Sequence, residues 1–216
     1  MLLASLIVLV ALRYLTLDPE VFFPEQKEVY VNHAPMLLTH VLGGTIALLL
    51  GPWQFRQAIR NKHLQIHRWI GRFYLVAVLL GGVGGLYMAP LAYGGLPARA
   101  GFGMLAVLWL MTGGMAYLHI RQKNIATHRM WMIRNYSLTF AAVTLRLWLP
   151  LFYEIIGYEF KDAYTTVAWL AWVPNLLAAE IFIGWENTGK RKIAIKSPTM
   201  NRGAERWKDA KAPSNH

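Results

Sequence analysis

The chain has 216 residues, 56% of them hydrophobic and only 15% charged, with a mean hydropathy of +0.32. A soluble domain carries about 25% charged and about 45–50% apolar residues, so this composition excludes a free soluble globule. The lack of cysteine excludes disulfides, zinc–thiolate sites, iron–sulfur clusters and cysteine nucleophiles.

A helix needs about 20 mostly apolar residues to cross the hydrocarbon core of a bilayer. Taken in chain order, the apolar runs predict spans at Met1–Leu17, Pro35–Phe55, Trp69–Ala89, Ala100–Ile120, Met130–Ile156 and Tyr164–Trp185. The first is short and carries Arg13; a cleaved signal peptide is the alternative, but the basic n-region and small-residue cleavage site are missing.

The net charge of +11 matters through its distribution. Arg56, Arg60, Lys62 and Arg68 crowd one loop, Arg121, Lys123 and Arg129 another, and a run of lysines and arginines follows residue 189. The alternate loops hold Asp18, Glu20, Glu25 and Glu28, then a lone Arg99, then Glu159 and Asp162. Positive residues stay in the cytoplasm. The expected fold is therefore an all-α integral membrane protein, a six-transmembrane-helix bundle with both termini cytoplasmic. Its segments are an N-terminal helix (1–17), an outer acidic loop (18–34), a five-helix membrane core (35–185) and a basic cytoplasmic tail (186–216). The tail is polar and basic, reading as disordered or as lying along anionic lipids. It lacks the aromatic interleaving of a nucleic-acid binder, so no nucleic acid is expected as a partner.

Inside the spans, glycines pair at Gly43-Gly44, Gly81-Gly82, Gly84-Gly85 and Gly113-Gly114. Small residues let membrane helices approach closely; alternatively, a flat tetrapyrrole or quinone ring lies against the bare backbones. Pro150 and Pro174 are expected to kink the last two spans, with neighbours satisfying the carbonyls they free.

One pattern occurs twice. His67-Arg68-Trp69 leads to Arg72-Phe73-Tyr74, and His128-Arg129-Met130-Trp131 leads to Arg134-Asn135-Tyr136, each where a span starts from the cytoplasmic side. In one reading His67 and His128 hold a haem iron as paired axial ligands. Arg68, Arg72, Arg129 and Arg134 then pair with the propionates, and Tyr74 and Tyr136 line the ring. In the other, His-Arg is an interfacial anchor whose arginine snorkels to the headgroups. His63 and His119 add to the same side, yet no carboxylate stands nearby to complete a conventional metal shell.

Towards the outer face, His40 lies in the second span and Arg146 in the fifth. Ionisable groups at such depth are functional candidates by default. Together they suit a quinone headgroup or a haem propionate; equally, they can bond carbonyls freed near Pro150. The fourth span offers no histidine opposite His40, so a second bis-histidine haem lacks a partner ligand.

From about His33 to Phe152 the chain resembles the bacterial membrane-protein family catalogued as domain of unknown function 2306. The matching residues are Gly51-Pro52-Trp53-Gln54-Phe55, His67-Arg68 with Gly71-Arg72 and Tyr74, His128-Arg129 with Trp131-Met132-Ile133-Arg134, Leu138-Thr139-Phe140, and Thr144-Leu145-Arg146. The resemblance implies a multi-pass protein of the bacterial inner membrane and carries no settled activity. The helical core is also similar in outline to cytochrome b561-like proteins, where histidines on alternating core helices hold two haems. By position, that likeness implies haem b at His67 and His128.

Two functions compete on this footing. One is electron transfer through haem b or a quinone; the other is a non-catalytic subunit or assembly factor docking on other membrane subunits. A small transporter ranks below both, since the midplane is almost free of ionisable residues. No nucleophile–base–acid constellation is present for hydrolase chemistry.

Overall fold

The computed structural model describes residues 18–196, and every regular element among them is helical. Five stretches are long and apolar enough to cross a membrane: Ala34–Phe55, Leu64–Leu91, Leu96–Arg121, Ile125–Ile155 and Phe160–Gly189. The sixth expected span, 1–17, lies outside the described residues, as does the tail beyond 196. The chain divides into two compact units, Met1–Leu177 and Ala178–His216. Every contact described below lies within the first.

The helices are α1 (Lys27–Asn32), α2 (Ala34–Phe55), α3 (Gln57–Lys62), α4 (Leu64–Met88), α5 (Leu96–Arg121), α6 (Ile125–Thr139), α7 (Ala141–Pro150), α8 (Phe160–Leu170) and α9 (Val173–Lys196). Several begin earlier than hydropathy predicts, because hydropathy marks where a helix meets lipid and not where its hydrogen bonds begin. Helix α5 starts at Leu96: Gly94 and Gly95 turn the chain at φ 92° and 78°, and Pro97 occupies the first turn. Helix α6 starts at Ile125, where the Asn124 side chain accepts from the Thr127 amide at 3.1 Å. At the other end of the chain, α9 continues past Trp185 to Lys196, where the polar tail was expected to begin already at 186; no proline interrupts that stretch.

The fifth and sixth spans are each broken. Between α6 and α7 the helix yields at Phe140, next to Thr139, whose hydroxyl bonds back to the Asn135 carbonyl (3.0 Å), a habit that bends helices. After Pro150 a π-turn runs from Leu151 to Ile155, a local rearrangement expected where proline removes a ladder donor. The sixth span breaks at Ala171-Trp172, just before Pro174. There the Ala171 carbonyl accepts from the Thr144 hydroxyl and, at 2.9 Å, from the Asn175 amide. Side chains from α7 and α9 thus satisfy a carbonyl at the break itself; the carbonyl that Pro174 leaves without its ladder donor is that of Leu170, one residue earlier.

Lipid is the solvent this bundle is built for. On α4, Val76, Leu79, Leu80 and Val83 are exposed while Tyr74, Ala77, Val78 and Gly81 are buried. An apolar outer face of this kind would be a liability in water. The inner faces meet through small residues. A Cβ at Gly43 of α2 would lie 2.5 Å from the Gly81 nitrogen and 2.6 Å from the Ala77 oxygen of α4, so the two backbones touch directly. Most of the paired glycines serve this packing, Gly82 against Leu110, Gly113 against Val78 and Gly85 against the His40 ring. A Cβ at Gly44 or Gly114 would meet nothing within 4 Å, and Gly44, with Gly85, borders an open space inside the bundle.

Candidate functional site

That open space is a cavity of about 220 Å3 near the acidic end of the bundle. Its walls come from α2, α4, α5, α6, α7 and α8 and are mostly apolar: Leu37, Leu105, Leu138 and Leu149 among them. Two ionisable residues singled out from the sequence, His40 and Arg146, both line it and interact electrostatically with each other. A largely apolar hollow with a few convergent polar groups is the usual form of a small-molecule site. At 220 Å3 it falls below the roughly 300–1,000 Å3 typical of drug-sized ligands. It suits a single ring better than a whole tetrapyrrole.

The chemistry of His40 is fixed by its neighbour. Its Nδ1 lies 2.8 Å from the Gly81 carbonyl, which can only accept, so Nδ1 carries the proton. In the neutral ring Nε2 then keeps its lone pair and can accept a hydrogen bond or donate to a metal. The ring can stand there only because Gly85 has no side chain: a Cβ would lie 2.7 Å from Nδ1. Arg146 is held differently, its Nη1 donating 2.8 Å to the Ala142 carbonyl one turn back on α7. The guanidinium remains a fixed positive group on the cavity wall.

The roof comes from the segment expected to be a plain acidic loop. It is instead ordered as two 3-10 turns, Pro19–Val21 and Pro24–Gln26, followed by α1. Phe23, Gln26 and Tyr30 close the cavity from above. The roof is pinned by Phe23 against Phe160 (ring centroids 5.1 Å), by Phe22 edge-on to Tyr30, and by a Lys27–Glu20 ion pair at 2.6 Å. Gln26 is only 1% exposed, yet its Nε2 has no hydrogen-bond partner. A buried amide left with an unmet donor costs about 1–3 kcal/mol.

The floor is a polar network that sequence reasoning missed. Asn135, fully buried, donates to the Trp109 carbonyl (2.8 Å) and the Thr112 hydroxyl (2.9 Å), and accepts from the Tyr74 hydroxyl (2.7 Å). The Trp109 indole donates to Thr139 at 2.8 Å, and Trp109 and Thr139 also face the cavity. The signal was present in the sequence as a neutral amide and hydroxyls inside apolar spans. It was hidden by the louder histidines and arginines beside them.

At the opposite, basic end the repeated motif takes a related shape in both copies. The Arg72 guanidinium lies 4.7 Å over Trp69, and that of Arg134 lies 4.7 Å over Trp131. The tyrosines diverge: Tyr74 enters the buried network, whereas the Tyr136 ring packs against Gly51 and Phe55. His67 and His128 interact electrostatically, as do His128 and His119. His128 repeats the arrangement of His40, its Nδ1 lying 2.8 Å from the Ala116 carbonyl and so donating, with Nε2 left as acceptor. The Nδ1 atoms of His67 and His119 are buried without a partner. Arg68 and Arg72 are exposed, whereas Arg129 and Arg134 are half-buried. Among the described residues no group of three or more histidine, aspartate and glutamate side chains is placed to hold a metal ion.

A fold of lipid-facing helices around a partly open, polar-tipped hollow defines a multi-pass membrane protein. Residues 37–183 match the family described as predicted membrane protein (DUF2306), and the chain belongs to it. No curated protein and no solved structure matches the chain.

Proposed function

We propose that this chain is an electron-transfer protein of the bacterial inner membrane that binds a quinone headgroup in the cavity between His40 and Arg146. The observation that carries the reading is the convergence of these two groups, from separate helices, on one apolar hollow of ring size. A bound quinone supplies the capacity to carry two electrons and two protons. The residues supply recognition: the Arg146 guanidinium donates to a ring oxygen, the His40 Nε2 lone pair accepts from the O–H of the reduced quinol, and the apolar walls exclude water. Calorimetric titration of the detergent-solubilised protein with decylubiquinone and with its reduced form tests the reading. The expected result is saturable binding that Arg146→Ala abolishes for both forms and His40→Ala weakens for the reduced form.

A second reading, haem b between His67 and His128, is favoured by a different observation. His128 donates Nδ1–H to a backbone carbonyl and keeps Nε2 as a lone pair, the orientation that ligating histidines commonly take. His67 carries a buried Nδ1 that nothing else satisfies. Two imidazoles suffice for a haem iron, and Arg129 and Arg134 are the nearer candidates for the propionates, with Arg68 and Arg72 exposed. The likeness in outline to cytochrome b561-like proteins points the same way. A reduced-minus-oxidised spectrum with haem counted per chain decides it: a low-spin α-band lost in both His67→Ala and His128→Ala supports haem, and a flat spectrum removes it.

A further inference from the structure

The Gln26 side-chain nitrogen is a buried donor that the fold leaves unpaired, and it stands beside the cavity. Gln26 is the last residue of a 3-10 turn whose backbone bond, from the Gln26 amide to the Phe23 carbonyl, measures 2.9 Å. The turn is clamped on both sides by the Phe23–Phe160 and Phe22–Tyr30 ring contacts. The side chain is therefore held under the roof, 1% exposed, with an unmet Nε2 donor on a residue that lines the cavity. A glutamine with no partner in the fold is normally found at a surface, where water serves it. One kept buried beside a hollow is placed for a guest.

Resting on the cavity reading above, we propose that the roof segment is part of the binding site and that Gln26 recognises the ligand, its Nε2–H donating to a ring oxygen. The two ends of the recognition are then complementary. His40 presents an acceptor at Nε2 from α2, and Gln26 presents a donor from the roof. A ring bearing oxygen substituents on separate edges satisfies both in its reduced, quinol form: one O–H donates to His40 Nε2 and the other ring oxygen accepts from Gln26. Gln26 takes part in binding and in no covalent or redox step.

The test uses the full-length protein in detergent with decylubiquinone as probe, following affinity by calorimetry and the melting temperature of the ligand-free protein in parallel. Gln26→Leu keeps the side-chain volume and removes the donor. The expected result is a roughly tenfold weaker affinity, the usual scale of one hydrogen bond, with the ligand-free melting temperature held or raised, since an unmet donor has gone. A residue that merely props the roof gives the opposite pairing, a lowered melting temperature with affinity intact, and that result overturns the inference. Wild-type affinity in Gln26→Leu likewise overturns it while leaving the cavity reading standing. A wild-type protein that binds no decylubiquinone removes the cavity reading and this inference with it. Should Gln26→Leu not fold, Gln26→Met carries the same comparison.

Discussion

The two ends of the bundle make opposite use of similar residues. The basic end is dense in motif: a repeated His-Arg-Trp-Arg-Tyr pattern, four histidines and paired cation–aromatic stacks. Its charged groups nevertheless spread outward, with Arg68 and Arg72 exposed and Arg72 lying over a tryptophan that is itself half exposed. The acidic end is sparse in sequence, with Arg99 near the start of α5 and His40 and Arg146 deeper in, yet these last two converge with a buried glutamine on a single hollow. A binding site is made by convergence on a void more than by density of chemistry along the chain. The floor network between the ends is what keeps the hollow confined to one side.

The sharpest way to break this arrangement is to remove the floor. Asn135→Leu strips acceptors and donors from Tyr74, Trp109 and Thr112 together, and is expected to cost about 2–4 kcal/mol, since several buried groups lose partners at once. Reversible unfolding in mixed micelles measures it, and a loss below half a kilocalorie would show that water enters and replaces the amide. Next in size is the helix contact between α2 and α4. Gly43→Ala drives a methyl into the Gly81 and Ala77 backbones and is expected to cost about 1–3 kcal/mol by overpacking. Gly44→Ala, where nothing lies within 4 Å, leaves stability unchanged and narrows only the cavity. Equal melting temperatures for the two variants would contradict the close approach.

The comparison of ends is sharpened by pairing His40→Ala with His128→Ala. The first is expected to weaken the binding of reduced decylubiquinone without touching any visible absorbance, and the second to do the reverse where haem is bound. A variant that removed both signals would join the ends into one site. The smallest expected effect belongs to the exposed stacks: Arg72→Ala loses about 0.5–1 kcal/mol from the Trp69 contact. Thermal melts compare it with Arg134→Ala, whose stack is half-buried.

Much of this was readable before any coordinates. Apolar runs located the described spans; Pro174 stands just past the break in the last span and Pro150 just before the π-turn, whereas the break at Phe140 has no proline to mark it. His40 and Arg146 stood out because ionisable groups in lipid-facing sequence demand a reason. Helix rotation was not readable, since the spans are apolar on nearly every side and carry weak periodicity. That is why Tyr74 and Tyr136, equivalent in the motif, could not be told apart until one was found in the network and the other against Gly51. Gln26 was silent for another reason: in a polar, acidic segment one more polar residue carries no signal. Only its burial makes it conspicuous.

The floor has one more consequence. Every hydrogen on the Asn135 amide, the Trp109 indole and the Thr112 and Thr139 hydroxyls is already committed to an acceptor. An amide at the hub of such a web cannot take up a proton on one side and release another on the other, as a water file or a histidine can. The web is therefore an insulator laid across the bundle. On the quinol reading proposed above, a proton released in the hollow would have no relay through this web and would have to leave by the acidic end.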